Sequence, residues 1–302
     1  MPWWWHARRS EAELRSVAPS PSTEASPVLV DVAGRRRFQD MPYLLPKDQQ
    51  ELNRLDYQHY VLRQVFRGNV LAPVQDLLRE GTAVLDVGTG TGRWAIEVAE
   101  AFPRCRVVGF DREPARSSQG LPPGFRFVQG DLLQGLPFAD ATFGYVHQRL
   151  LVAGIPLAQW PAVLRELLRV TRRGGWIELV ELGLGFFPQG PCLQQIVTWW
   201  QQLSVARGMD ASQLFLLGRW LREAGALQVE QRTCWLPVGR WGGRLGQLLA
   251  QDLLVAAGTL EAPVEGLGVS VARFHEILEG LAREWEEGQV TYEVYTAWGR
   301  KP

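Results

Sequence analysis

Neither sign of charge prevails in this chain: 32 basic and 32 acidic residues cancel to zero across 302 positions. Without a global positive field, neither a nucleic-acid backbone nor an anionic membrane surface is expected as the main partner. Lysine is nearly missing, occurring at Lys47 and Lys301 alone, so arginine carries the positive charge. Cysteine is scarce. Cys105, Cys192 and Cys234 lie far apart with no C-x-x-C spacing, which gives neither a zinc pattern nor a disulfide framework and leads to the expectation of a cytoplasmic protein without a metal. No apolar run approaches the roughly 18 residues of a membrane span. The N-terminal Trp3-Trp4-Trp5 leads into His6-Ala7-Arg8-Arg9 and acids, not into the apolar core of a secretory leader.

What the chain does have is a hydrophobic content of 46%, ample for a sizeable core. Residues 1–27 are rich in Ser, Pro, Ala and charge without an apolar period, which predicts a flexible tail; its tryptophans and the later cap helices are compatible with a homodimer. Residues 28–80 read as a helical cover, with an amphipathic helix from Asp48 to about Phe66 and a short one from Val70 to Arg79. Strands are predicted over Ala83–Val87, Arg106–Phe110, Phe125–Gln129, Thr142–Val146 and Trp176–Leu182. Helices over Arg93–Ala101 and Leu157–Val170 alternate with them. Two further strands, Leu227–Leu236 and Val290–Trp298, close the pattern. The expected fold is α/β: a Rossmann-like, doubly wound seven-stranded sheet, mostly parallel with one antiparallel strand near the C-terminus. Helical cap insertions are expected near 183–210 and 238–288 of a domain spanning 81–302.

The densest signal is Val84-Leu85-Asp86-Val87-Gly88-Thr89-Gly90-Thr91-Gly92, an apolar strand and an acid followed by glycine at every second position. Such a loop lets the backbone turn sharply and approach a ligand, and the helix behind it presents free N–H groups, as a nucleotide cofactor needs. Its strict alternation, with an acid before the first glycine, conflicts with the nicotinamide fingerprint G-x-G-x-x-G. The plainer alternative is an ordinary strand-to-helix turn. About 20 residues on, strand two ends at Asp111, where a nucleoside-binding sheet places an acid on the ribose hydroxyls; the alternative is an acid that caps the next turn. Strand three ends near Asp131, suited to reading the exocyclic amine of adenine. Strand four ends at His147, at the expected mouth of the site, and strand five at Glu181; these are the candidate acid-base residues, His147 first.

Together these residues resemble the class I S-adenosylmethionine-dependent methyltransferases from Val84 through Glu181. The resemblance implies that Asp86, Gly88, Thr89, Gly90 and Gly92 cradle the methionine part of S-adenosylmethionine and that Asp111 with Arg112 holds the ribose. Asp131 with Leu132 would hold the adenine, and His147 with Gln148 would lie against the cofactor. A closer similarity, to the LaeA-like methyltransferases, rests on Gly34-Arg35-Arg36-Arg37-Phe38, Tyr43-Leu44-Leu45-Pro46-Lys47-Asp48, the run from Glu51 to His59, Gly92-Arg93-Trp94-Ala95-Ile96 and the ending Trp298-Gly299-Arg300-Lys301-Pro302. It implies that the segment from Tyr43 to Arg63 closes over the cofactor, with Tyr43, His59 and Arg63 as contacts. The partner expected is a small-molecule methyl acceptor, apolar or aromatic and natural-product-like, since the cap is rich in Phe and Trp. The alternative is a regulatory cofactor-binding protein of secondary metabolism that acts through a protein partner.

Overall fold

A strand that is apolar apart from one acid has to be covered on both faces, and Ala83–Val87 is buried along its whole length inside a seven-stranded sheet. This computed structural model describes residues 29–32, 34–38, 45–113 and 120–302. The expected tail over 1–27, Tyr43 and the turn beyond Glu113 lie outside the described residues.

The strands are β1 (Leu29–Val32), β2 (Arg35–Phe38), β3 (Ala83–Val87), β4 (Arg106–Asp111), β5 (Phe125–Gln129), β6 (Phe143–Arg149), β7 (Thr171–Phe187), β8 (Leu227–Pro237) and β9 (Thr291–Arg300). The helices are α1 (Gln49–Phe66), α2 (Gln75–Glu80), α3 (Arg93–Ala101), α4 (Trp160–Val170), α5 (Pro191–Val205), α6 (Leu217–Glu223), α7 (Gly243–Gly258), α8 (Glu261–Glu265) and α9 (Val271–Glu287). The large sheet has the order β5-β4-β3-β6-β7-β9-β8. Its pairs are parallel from β5 to β7, and β9 runs antiparallel to both of its neighbours. The fold is the expected Rossmann-like seven-stranded α/β sheet with one antiparallel strand.

Alternate residues of β3 serve opposite faces, as strand geometry requires. Leu85 and Val87 pack with Leu164, Leu167 and Leu221 under α4 and α6. Val84 packs with Trp94, Ala95 and Val98 of α3, with Leu78 of α2, and with Tyr145 and Trp298. A third apolar cluster, built from α1, α5, α7 and α9, forms the cap, with Val61, Leu193, Trp199, Leu249, Phe274 and Trp285 inside it.

Three features depart from the sequence reading. Strands β1 and β2 pair antiparallel inside the region expected to be a helical cover. The Arg35 guanidinium pairs with Asp48, the N-cap of α1, and Arg37 donates to the Thr259 carbonyl at 2.6 Å. β7 is much longer than expected, continuing through Gly183 and Gly185 to Phe187. β6 continues three residues past Val146 to Arg149, and this shift decides which side chain reaches the site.

Candidate functional site

The glycine loop is held against β4 by backbone hydrogen bonds from Gly88 and Thr89 to the Phe110 carbonyl, at 2.8 and 3.0 Å. Gly88, Gly90 and Gly92 have φ of 70°, 55° and 78°, a left-handed region that favours glycine. No atom lies within 4 Å of where a Cβ would stand on Gly90, so its backbone is open to the cavity, whereas a Cβ on Gly88 would run into Leu151. Below the loop, buried Asp86 accepts from Thr89 Oγ1 at 2.6 Å through one oxygen and from His147 Nδ1 at 2.7 Å through the other. Trp94 stacks flat on the His147 ring, with centroids 3.7 Å apart and planes 3° from parallel, and donates its indole N–H to the Asn69 carbonyl at 2.6 Å.

Two further carboxylates follow along the strand ends. Asp111 closes β4 and accepts from the Gly90 N–H at 2.8 Å. Asp131, just after β5, accepts from Arg112 at 2.7 Å and from the Leu133 N–H at 2.9 Å. Gly130 beside it leaves room for the Phe110 ring, whose nearest atom would lie 2.7 Å from an added Cβ.

Helix α1 closes the opposite wall. Asp48 caps it by accepting from the Glu51 N–H at 2.9 Å. Arg149 at the end of β6 donates to His59 Nδ1 at 2.9 Å, while His59 Nε2 lies 3.1 Å from Glu97 Oε2 at an angle too poor for a hydrogen bond. Burial and the nearby Arg149 guanidinium lower the His59 pKa to about 4, so its ring is neutral at pH 7 and accepts from the arginine.

These elements enclose a cavity with about 1140 Å³ of empty space, its mouth included. Among the sequence candidates, His59, Asp86, Gly88, Thr89, Gly90, Asp111, Arg112, Asp131 and Leu132 line it. Gly92 instead precedes α3 as its cap. The Arg63 side chain is 48% exposed and pairs with Glu97 outside the cavity. His147 lines neither this cavity nor its neighbour: the longer β6 places it within the sheet, in register with Asp86 and 1% exposed. The strand end expected at His147 is occupied by Arg149. Gln148 points to the other face, fully buried, and donates to Glu181. Glu181 is likewise absent from both cavity walls. It accepts from Gln148 and from the Leu151 and Val152 N–H groups at 3.0 and 3.1 Å, which ties β7 to the loop after β6. Burial pushes its pKa up to about 8 against those three donors.

Sequence reasoning missed Lys47, Gln58, Trp94 and Arg149, all of which line the cavity. Arg149 was within reach, since Val146-His147-Gln148-Arg149 has no turn residue to end the strand. Gln58 carried no signal, because nothing in an amphipathic helix says which polar residue faces a ligand.

A second, mostly apolar cavity with about 970 Å³ of empty space lies under the cap, lined by Leu182, Phe186, Ile196, Trp200, Leu253 and Trp285 among others. It shares Leu55, Gln58 and Leu150 with the first. Leu150 has a φ of 58°, uncommon for a branched residue. Among the described residues, no cluster of potential metal ligands occurs and no helix is long and apolar enough to cross a membrane.

The family model for a methyltransferase domain matches residues 84–175, from β3 to β7. The chain is 28% identical over 276 residues to the N-methyltransferase sirN of Leptosphaeria maculans, covering 87% of this chain and 97% of that one. It is 31% identical over 210 residues to the methyltransferase pytC of Aspergillus terreus, covering 66% of this chain and 62% of that one. It is 28% identical over 219 residues to the secondary metabolism regulator laeA of Coprinopsis cinerea, covering 67% of this chain and 54% of that one.

Proposed function

We propose that this chain, a class I S-adenosylmethionine-dependent methyltransferase, methylates a small, largely apolar or aromatic molecule held under its cap. The observation that carries the reading is the junction of two cavities at Leu55, Gln58 and Leu150, one walled by carboxylates and glycines, the other by Leu, Ile, Phe and Trp. S-Adenosylmethionine has a polar nucleoside, a cationic sulfonium and an amino-acid end, and the first cavity offers a complement to each. Asp111 and Asp131 would take the ribose and adenine. Asp86, Thr89 and the open Gly90 backbone would take the methionine end, and the Arg149 guanidinium suits its carboxylate.

When bound, the cofactor supplies a methyl group activated by its sulfonium. The chain's own part is to place an acceptor in line and exclude water, and such positioning alone can supply several kcal/mol of the barrier reduction. The apolar cap cavity and the aromatic rings that wall it serve that end. Neither acid-base candidate lines a cavity. His147 and Glu181 act as positioning residues, His147 by fixing Asp86 and Glu181 by fixing the loop of Leu151 and Val152. Similarity to sirN, an N-methyltransferase by name, supports the methyl-transfer reading.

The test is direct. Calorimetry with S-adenosylmethionine and NAD should show binding of the first alone. A panel of apolar amines, phenols and heteroaromatics should then release S-adenosylhomocysteine in at least one case. Cofactor binding with no turnover on any member, together with a stoichiometric protein partner, would favour the regulatory alternative.

A further inference from the structure

Of the three residues shared by the two cavities, Leu55 and Leu150 are apolar and Gln58 is the polar one. Its side chain is not loose. Gln58 Nε2 donates to Asp252 Oδ2 at 2.9 Å, from α1 to α7, and a carboxylate oxygen accepts only, so the amide is turned with its nitrogen toward Asp252. Asp252 Oδ1 is held in turn by Arg54 at 2.9 Å, and the same guanidinium grips Glu51 at 2.9 and 2.7 Å. All four side chains are buried, and Arg54, Gln58 and Asp252 line the cap cavity. Arg54 thus bridges the two carboxylates at one edge of a mostly apolar chamber. Gln58 Oε1 accepts no hydrogen bond from any described residue.

We infer that this cluster is the recognition site for the acceptor, with Gln58 Oε1 accepting a hydrogen bond from an N–H group on an apolar ring system. The inference rests on the methyltransferase reading and names the acceptor class. An amine is favoured over a phenol or a carboxylic acid by elementary chemistry. A neutral amine carries an N–H and a lone pair at once, so it can donate to Gln58 while its lone pair faces the cofactor cavity. A phenol or an acid reacts best as its anion, which has lost the donor that Gln58 Oε1 would accept from. The Asp252 contact has a second effect: it holds the amide against flipping, so the site presents an acceptor and not a donor.

The experiment uses the full chain saturated with S-adenosylhomocysteine and three probes of similar shape: indoline, 2,3-dihydrobenzofuran and 1-methylindoline. Binding is followed by calorimetry. Indoline should bind about fivefold or more tighter than dihydrobenzofuran and 1-methylindoline, the effect of one neutral hydrogen bond. In Gln58→Leu the preference for indoline should collapse to within about twofold. Equal binding of indoline and dihydrobenzofuran by the unaltered protein, or no binding of any probe, would overturn the inference without reference to a variant. Failure to bind S-adenosylhomocysteine would instead overturn the methyltransferase reading beneath it.

Discussion

Asp86 and His147 stand opposite each other on paired strands, with His147 Nδ1 2.7 Å from Asp86 Oδ1, and of the two only the aspartate reaches the cavity at the glycine loop. The histidine therefore acts through its partner. In His147→Ala, a buried carboxylate oxygen loses its donor and Trp94 loses its stacking surface, at a cost of about 1–3 kcal/mol in stability. His147→Asn offers a donor amide in place of the ring. Turnover of that variant should stay within about threefold of the parent, with an unshifted pH profile; a hundredfold loss in a folded variant would restore the role of a base.

Gly88 and Gly90 share a left-handed backbone but differ in what surrounds them. Alanine at either site carries the strain of about 1 kcal/mol that L-residues meet there. At Gly88 the added methyl also collides with Leu151, so Gly88→Ala should show the larger drop in Tm. At Gly90 the methyl enters the cavity. Gly90→Ala should therefore melt close to the parent while calorimetry shows weaker S-adenosylhomocysteine binding, and the reverse order of effects would count against this placement of the cofactor.

The sheet was legible because buried strands carry their own signature: β3, α3 and β5 have the limits that apolar periodicity assigns them. Where the reading failed, a local signal misled or none existed. In β7 the alternation Leu182-Gly183-Leu184-Gly185 resembles a loop, yet both glycines leave room for β9, Gly183 for the Tyr295 ring and Gly185 for Glu293. The C-terminal end of β6 lies three residues beyond the expected Val146, and along a strand so small a difference changes which side chain stands at the mouth: Arg149 in place of His147. The second cavity and its polar floor were illegible, since Gln58 and Asp252 are 194 positions apart and meet only when α1 packs on α7.

Asp111 supplies a test of the nucleoside end. Its Oδ2 accepts from Gly90 N–H at 2.8 Å, so the carboxylate bears on the loop and the cavity wall together. Hydrogen bonds to a charged group contribute about 1.5–3 kcal/mol, which predicts that Asp111→Ala weakens S-adenosylhomocysteine binding by about tenfold or more. Adenosine alone should lose affinity by a similar factor, whereas methionine competition, touched only through the Gly90 contact, should weaken less. Loss of methionine competition instead would place Asp111 at the other end of the cofactor.

His59 and Glu181 make opposite contributions to stability as pH changes. The His59 pKa falls from 6.5 to about 4 on folding, chiefly by burial, so between those values the unfolded chain binds the extra proton and stability rises with pH. Glu181 rises from 4.5 to about 8, again by burial, so from 4.5 to 8 the folded chain binds the extra proton and stability falls as pH rises. The two slopes offset each other from about 4.5 to 6.5, and above 6.5 only the Glu181 slope remains. Chemical denaturation across this range should then show Glu181→Gln losing the decline above pH 6.5. His59→Gln should extend that decline down toward pH 4.5, moving the stability maximum to more acidic pH; parallel curves for parent and His59→Gln would show that the His59 pKa does not change on folding.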